Sequence, residues 1–207
     1  MGHRAESPSI QANDGMTDAR LGSARAGAKP PRQGLTLVYT GNGKGKTTAA
    51  VGLTVRAAGN RMRVFFLQFI KGQWKSGERE ILRGLPNVDL EVTGRGFTIE
   101  GLRNPRIPME DHAAAAAHGW QVAQQIVREG EYDMIVLDEI LGAVKAGLVP
   151  LEELLVLVKT KPPTLHLVLT GRGAPPELVE VADLVSEVQP IKHPFERGIK
   201  AQRGIEF

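Results

Sequence analysis

The sequence of 207 residues predicts an α/β fold in which a mostly parallel sheet is flanked by helices. From Leu35 onward, short apolar and β-branched runs alternate with helical stretches, which is the pattern of proteins built from β-α-β units. A glycine-rich turn separates the first apolar run from the first helical stretch, and a later apolar run ends in two adjacent acidic residues. These three observations place a sheet and a candidate ligand site on the same scaffold.

Five short apolar runs are predicted to form the strands. They cover residues 35–40, 63–70, 88–92, 133–138 and 165–170. The run at 133–138 (DMIVLD) is apolar throughout its middle, which is typical of a strand buried on both faces of a sheet. No internal repeat and no second domain are indicated.

Three longer stretches are predicted to be helices, covering residues 46–58, 108–129 and 151–159. Gly59 and Asn60 end the first helix, and Gly130 ends the second, as glycine and asparagine often do. Pro108 and Pro150 stand where the second and third helices begin, a position that proline tolerates well. In the second helix one apolar face is formed by Trp120, Ala123, Ile126 and Val127.

Residues 1–33 differ in kind from the rest of the chain. They are rich in Gly, Ala, Ser, Pro, Asn, Asp and Arg, show no apolar periodicity, and contain five basic and three acidic residues, so they carry +2 of the total charge of +3. We predict a flexible N-terminal tail over 1–33 and one domain over 34–207. The tail is either disordered or a segment that orders over a ligand or a neighbouring subunit, and Met16 is a possible alternative start.

The composition excludes several classes of protein. Apolar residues make up 42% and charged residues 24%, which is ordinary for a globular chain. The absence of cysteine excludes disulfides, thiolate zinc sites, iron–sulfur clusters and a cysteine nucleophile. No run of 18 apolar residues and no secretory signal are present, so a cytoplasmic protein without a membrane partner is expected. The net charge of +3 does not indicate a nucleic-acid partner.

The strongest motif is the glycine-rich segment at residues 40–48 (TGNGKGKTT), between the first strand and the first helix. Such a loop lets backbone N–H groups and a helix start surround a phosphate, while Lys46 supplies a cation and Thr47 a hydroxyl for magnesium. The general P-loop pattern has glycine where this chain has Thr40, with glycines at Gly41 and Gly43 instead. A P-loop NTPase-like fold is therefore predicted, with phosphates held somewhat differently.

The second motif is the strand that ends in Asp138 and Glu139. The carboxyl ends of parallel strands share one edge of a sheet, so these carboxylates are expected beside the glycine-rich loop. Oxygen ligands suit magnesium, and the predicted metal ligands are Thr47, Asp138 and Glu139, directly or through water. The alternative for the acidic pair alone is a solvated turn.

Further motifs make the chain resemble the ATP:cob(I)alamin adenosyltransferases, a family that acts in cobalamin synthesis and corrinoid salvage. The resemblance covers about residues 34–207. It depends on segments in the order of the family: TGNGKGKTTAA at 40–50, QFIKG at 68–72 with GER at 77–79, GFT at 96–98, VLDE at 136–139, LTGRG at 169–173, and the closing KHPF, GIKAQ and GIEF between 192 and 207.

The resemblance implies adenosyl transfer. Co(I) of a reduced corrinoid (cobalamin, cobinamide or cobyrinate a,c-diamide) attacks C5′ of ATP and expels triphosphate, with Mg²⁺ or Mn²⁺ as the metal. The implied catalytic residues are Lys46, Thr47 and Glu139. The residues implied in binding ATP or the corrinoid are Gly41, Asn42, Gly43, Lys44, Gly45, Lys46, Thr47, Thr48, Phe97, Arg172 and His193. An electron donor for Co(II) and a homodimer are also implied.

On the corrinoid side, the resemblance gives Phe97 the role of an apolar wall that displaces the lower cobalt ligand, and Ile99 stands where a second aromatic residue is expected. The alternative for Phe97 is an ordinary core position. His166 is expected to be a core or edge histidine. His112 and His118 are about 240° apart around their helix, so they do not converge on one metal.

Two other functions stay open from the sequence. A P-loop ATPase or kinase of another class would share the loop and the acidic strand, but would release ADP rather than triphosphate. A regulatory or nucleic-acid module that binds ATP would instead show salt-sensitive binding to DNA or RNA.

Overall fold

A computed structural model describes residues 32–69, 76–94 and 108–206 of the chain. Within these ranges six strands form one sheet: β1 (Thr36–Thr40), β2 (Val64–Gln68), β3 (Val88–Val92), β4 (Met134–Asp138), β5 (His166–Thr170) and β6 (Leu184–Glu187). Their order is β3-β2-β4-β5-β1-β6, and every pairing between neighbours is parallel. The predicted α/β fold with a mostly parallel sheet is confirmed, and all five predicted strands are present within two residues of their predicted ends.

The helices of the described residues are α1 (Lys46–Gly59), α2 (Gly77–Arg83), α3 (Met109–Glu129), α4 (Ile140–Lys145), α5 (Leu151–Thr160) and α6 (Pro176–Val181), followed by a 3-10 turn over Pro194–Arg197. The three predicted helices correspond to α1, α3 and α5. Helices α2, α4 and α6 and strand β6 were not predicted from the sequence. Each of them is at most seven residues long, which is too short to show a clear helical or strand period.

Helices cover the sheet on both faces because alternate strand residues point to opposite sides. Phe65, Leu67 and Leu137 belong to one fully apolar cluster, which includes the predicted face of α3. Phe66 and Val136 belong to a second cluster with residues of α1.

Within the described ranges, no helix combines the length and the apolar character needed to cross a membrane.

The close approach of α3 to the sheet depends on Gly119. A Cβ atom at this position would lie 2.4 Å from Thr93 Oγ1 and 3.1 Å from Phe69 Cε1. In α1, by contrast, a Cβ atom at Gly52 would meet no atom within 4 Å.

We therefore expect the same substitution to have opposite effects in the two helices. Gly119→Ala should lower the free energy of unfolding by about 1 to 3 kcal/mol through overpacking. Gly52→Ala should raise it by about 0.5 to 1 kcal/mol, since alanine favours a helix interior. Urea denaturation of the two variants measures both effects, and a stabilised Gly119→Ala variant would show that α3 does not pack as closely as described.

His166 is the first residue of β5 and lies at the end of the sheet away from the glycine-rich loop. Its Nδ1 accepts a hydrogen bond from the Leu35 N–H group (3.1 Å). The imidazole is half-buried, as expected for an edge histidine. Burial above all, and then the nearby cations Arg32 and Lys161, lower the pKa of His166 below its ordinary value of 6.5, while Asp133 opposes this shift.

This shift predicts a dependence of stability on pH. The unfolded chain binds a proton at His166 more readily than the folded chain, so the contribution of His166 is complete above pH 6.5 and is lost as the pH falls toward the folded pKa. We expect the urea midpoint to fall between pH 7.5 and pH 5.5. In a His166→Gln variant this fall should be smaller, and an equal fall in both proteins would assign the effect to other groups.

Candidate nucleotide site

The glycine-rich loop follows β1 and lies against the chain segment that follows β6. The Val188 N–H group donates to Thr40 O (2.9 Å), and the Gly43 N–H group donates to Val188 O (2.7 Å). Gly41 has a φ of 98°, and a Cβ atom there would lie 2.4 Å from Val188 O. Glycine is therefore required at Gly41, both by the backbone conformation and by the space available.

Thr40, which stands where the general pattern has glycine, is the last residue of β1 and is buried. Its Oγ1 accepts a hydrogen bond from the Ala174 N–H group (3.1 Å) in the segment after β5. The hydroxyl thus links the start of the loop to the segment that follows β5, the neighbour of β1 in the sheet. The turn of the loop is made at Gly41.

The end of the loop is the start of α1. Gly45 precedes the helix with a φ of 127° and has no side chain to cap the helix start, and the first turn contains no acidic residue. The partial positive charge of the helix start is therefore not neutralised by a carboxylate of its own first turn. This arrangement is suited to an anion such as a phosphate group.

Lys46 lies in the first turn of α1, and only 7% of it is exposed. Its Nζ donates to Gly43 O (2.8 Å), so the side chain folds back over its own loop. Burial lowers the pKa of Lys46, Glu139 and Asp138 raise it, and Arg172 lowers it. Three charged groups from the ends of β4 and β5 thus act on one buried lysine.

Asp138 links the start of α1 to the sheet through its side chain. Its side chain is fully buried, and Oδ1 accepts hydrogen bonds from Thr47 Oγ1 (3.0 Å) and Thr170 Oγ1 (2.7 Å). Oδ2 accepts one from Gln68 Nε2 (3.1 Å). Since Thr47 donates its proton to Asp138, the lone pairs of its oxygen stay available to a cation.

Glu139 is held by its backbone next to this network. Its N–H group donates to Thr170 Oγ1 (2.9 Å), and the residue has a φ of 63° at the start of α4. A positive φ is uncommon for a residue other than glycine and often marks a functional position. The half-buried side chain therefore leaves the sheet in a direction that a regular strand would not give it.

The structure brings most of the predicted site residues to one edge of the sheet. The loop residues 41–48, Asp138 and Glu139 lie there, and Arg172 is close enough to influence the pKa of Lys46. Lys44 forms an ion pair with Glu206 (Nζ to Oε2, 3.5 Å), which brings the closing segment to the loop. Asn42 and Thr48 are exposed.

Two predicted residues are not joined to this network by the described contacts. His193 precedes the 3-10 turn, and its Nδ1 accepts a hydrogen bond from the Phe195 N–H group (3.2 Å). This contact is a capping interaction and does not test the predicted role in binding. Phe97, like Ile99, lies outside the described residues.

Three residues that contact this network were not predicted as site residues, namely Gln68, Thr170 and Arg79. A signal was present: β2, β4 and β5 are apolar runs that each end in a buried polar residue, namely Gln68, Asp138 and Thr170. In the sheet, Gln68 is the direct partner of Asp138. Arg79 does not end an apolar run, and its signal was the GER segment at 77–79 of the family resemblance, which assigned it no role.

The fold and the geometry of this edge define a class of protein, an α/β protein with a P-loop NTPase-like arrangement of strand, loop and helix. Residues 32–207 match the family described as ATP:corrinoid adenosyltransferase BtuR/CobO/CobP, and the chain belongs to this family. Its activity is the ATP-dependent adenosylation of a corrinoid.

Similar proteins from several bacteria support this conclusion. A corrinoid adenosyltransferase of Pseudomonas aeruginosa is 40% identical over 193 residues, covering 93% of this chain and 90% of that protein. A corrinoid adenosyltransferase of Escherichia coli K12 is 39% identical, covering 92% of this chain and 91% of that protein. The corrinoid adenosyltransferase CobA of Salmonella typhimurium has the same identity and the same coverage.

Proposed function

We propose that the loop at 41–48 binds the triphosphate of ATP, and that the edge formed by β1, β4 and β5 carries the transfer of the adenosyl group to Co(I). One observation carries this proposal. The buried Lys46 and the Thr47–Asp138 hydrogen bond meet at a helix start whose N-cap residue, Gly45, has no side chain. A group of three phosphates is the ligand that this combination of cation, hydroxyl and N–H groups fits best.

The proposed reaction takes place at carbon. Co(I) of the reduced corrinoid donates its electron pair to C5′ of ATP, a cobalt–carbon bond forms, and the bond from C5′ to the phosphate oxygen breaks. Triphosphate leaves with that electron pair. Because Co(I) is itself the nucleophile, the protein needs no side-chain base, and its main task is to stabilise the leaving group.

Lys46 is the residue that we propose for this task. Its Nζ donates to Gly43 O, and a triphosphate in the loop offers a more strongly charged acceptor. Turning from a carbonyl to a phosphate oxygen costs Lys46 little, since the ammonium group is already desolvated. Negative charge that develops on the leaving oxygens then meets a cation already held in place.

The oxygen donors of Thr47, Asp138 and Glu139 fit a magnesium or manganese ion. Within the described ranges, no three His, Asp or Glu side chains form a metal site by themselves. In nucleotide sites, Mg²⁺ is commonly held by one or two protein groups together with substrate phosphates. Asp138 already accepts three hydrogen bonds, so we propose that it orients Thr47, and that Thr47 and Glu139 would hold the ion. When bound, the ion neutralises charge on the triphosphate.

We extend the proposal to the partners. The acceptor is a reduced corrinoid, a separate electron donor supplies Co(I), and the protein acts as a cytoplasmic homodimer without a membrane or nucleic-acid partner. Family membership supports the corrinoid. Phe97 stays the predicted apolar wall against the lower face of the corrinoid. For the tail over 1–33 both predicted alternatives stay open, a disordered segment or one that orders over a ligand or a neighbouring subunit.

A single reaction tests the proposed chemistry. The protein is incubated with ATP, Mg²⁺ and a chemically reduced Co(I) corrinoid. The expected products are triphosphate and a light-sensitive alkylcobalt absorption spectrum, in equal amounts. A P-loop ATPase or kinase of another class would yield ADP, and ADP without an alkylcobalt product would overturn the proposal.

A further inference from the structure

A chain of side-chain hydrogen bonds extends from the candidate metal site to helix α2. Arg79 lies on α2 and is buried, with 7% exposed, and its Nε donates to Gln68 Oε1 (2.7 Å). Gln68 is fully buried, and its Nε2 donates to Asp138 Oδ2 (3.1 Å). Asp138 in turn accepts the proton of Thr47. Four residues from four elements, α2, β2, β4 and α1, thus form one continuous network.

Arg79 determines which groups donate and which accept hydrogen bonds along this network. A guanidinium group only donates hydrogen bonds, so the Gln68 amide must turn its oxygen toward Arg79. Its NH₂ group must then face Asp138. If the amide rotated by 180°, its oxygen would face a carboxylate oxygen in a buried site, and that arrangement is strongly unfavourable.

The consequence reaches Thr47. With Oδ2 held by Gln68, the carboxylate of Asp138 is held with Oδ1 toward the hydroxyls of Thr47 and Thr170. Hydrogen bonds at both oxygens restrict the rotation of a carboxylate about its χ2 torsion more than hydrogen bonds at one oxygen do. The proton of Thr47, and with it the oxygen offered to the metal, is therefore directed by a carboxylate that Gln68 and Thr170 help to orient.

We propose that Arg79 is a positioning residue of this enzyme, which acts through the amide of Gln68 to hold Asp138 and Thr47 in the orientation that binds Mg²⁺ with ATP. The role depends on the proposed metal site. Arg79 itself is separated from Thr47 by two side chains. Removing Arg79 should therefore weaken the binding of Mg²⁺ and leave the loop's own contacts with phosphate in place.

The test is the Mg²⁺ concentration at half-saturation of ATP binding, measured by calorimetry on the full chain without corrinoid. Arg79→Met removes the donor and keeps much of the side-chain volume. We expect it to raise this concentration roughly tenfold, the lower end of the range for groups that orient metal ligands. ATP affinity at saturating Mg²⁺ should stay within about threefold of the parent, a recovery that a damaged fold would not allow.

Arg83→Met is the matched control. It removes a second arginine from the same helix, one turn further on, where the side chain is exposed. Its metal dependence should equal that of the parent. An equal shift in both variants would show a general effect of charge, and would overturn the positioning role.

Gln68→Glu tests the same hydrogen-bond network at the residue between Arg79 and Asp138. It keeps the proposal testable if Arg79→Met does not fold. The new carboxylate still accepts from Arg79, but it has no N–H group to donate to Asp138. We expect a shift in metal dependence at least as large as that of Arg79→Met. Unchanged metal dependence in a folded Gln68→Glu protein would overturn the inference.

The Mg²⁺ dependence of ATP binding by the unmodified parent protein separates the failure of this inference from the failure of the proposed function. If ATP binding by the parent does not depend on Mg²⁺, the proposed metal site is wrong and the role of Arg79 is wrong with it. If the parent depends on Mg²⁺ and the Arg79→Met curve is superimposable, only the positioning role is wrong.

Discussion

Replacing Lys46 with alanine is expected to lower kcat/KM for ATP by roughly 30- to 1000-fold, or about 2 to 4 kcal/mol of transition-state stabilisation. The physical reason is the loss of a desolvated cation at the place where the leaving triphosphate gains charge. The free energy of unfolding should not fall by a similar amount, because the variant no longer buries an ammonium group. Steady-state kinetics and urea denaturation on the same preparation measure the two quantities.

Arg56→Ala is a suitable control for this variant. Arg56 is exposed in the last turn of the same helix, so the change removes a cation at the end far from the loop. Its kcat/KM should stay within about twofold of the parent, because an exposed and distant charge is screened by solvent. Turnover of Lys46→Ala close to that of Arg56→Ala would contradict the assignment of the loop as the triphosphate site.

Asp138→Asn is expected to lower kcat/KM by roughly 30- to 150-fold at fixed, subsaturating Mg²⁺, which corresponds to about 2 to 3 kcal/mol. Three donors point at the carboxylate, from Thr47, Thr170 and Gln68. An asparagine that turns its NH₂ group toward Gln68 brings two NH₂ groups together in a buried site. If it turns the NH₂ group toward the hydroxyls instead, Thr47 must accept rather than donate, which uses a lone pair otherwise offered to the metal. The variant should also require more Mg²⁺, and excess Mg²⁺ should recover part of its activity.

Two further variants define the origin of this loss. Glu139→Gln should raise the Mg²⁺ requirement as well, with a smaller effect on stability, because its side chain is only half-buried. Asp133→Asn removes a carboxylate from the residue before β4, at the opposite edge of the sheet, and should leave the metal titration unchanged. Identical metal titrations for Asp138→Asn, Glu139→Gln and the parent would make the acidic strand a structural element.

The elements that the sequence predicted are those whose signal is local. The strands at 35–40 and 133–138 are apolar runs bounded by turn residues, and the helix over 108–129 repeats an apolar face through several turns. The loop at 40–48 is equally local, since its glycines, Lys46 and Thr47 lie within one short segment. Such features follow from short-range sterics and periodicity, and the structure confirmed the fold that they implied.

The tertiary structure decided what depends on residues that are distant in the chain. The sheet order brings Gln68 next to Asp138, and the segment after β6 against Gly41, across 70 and more than 140 residues. Strand order is set by how the helices and both apolar clusters pack, which no window of the sequence contains. By itself, the sequence determined the α/β class, the glycine-rich loop and the acidic strand, and only the packed sheet selected the side chains that orient Asp138 toward Thr47.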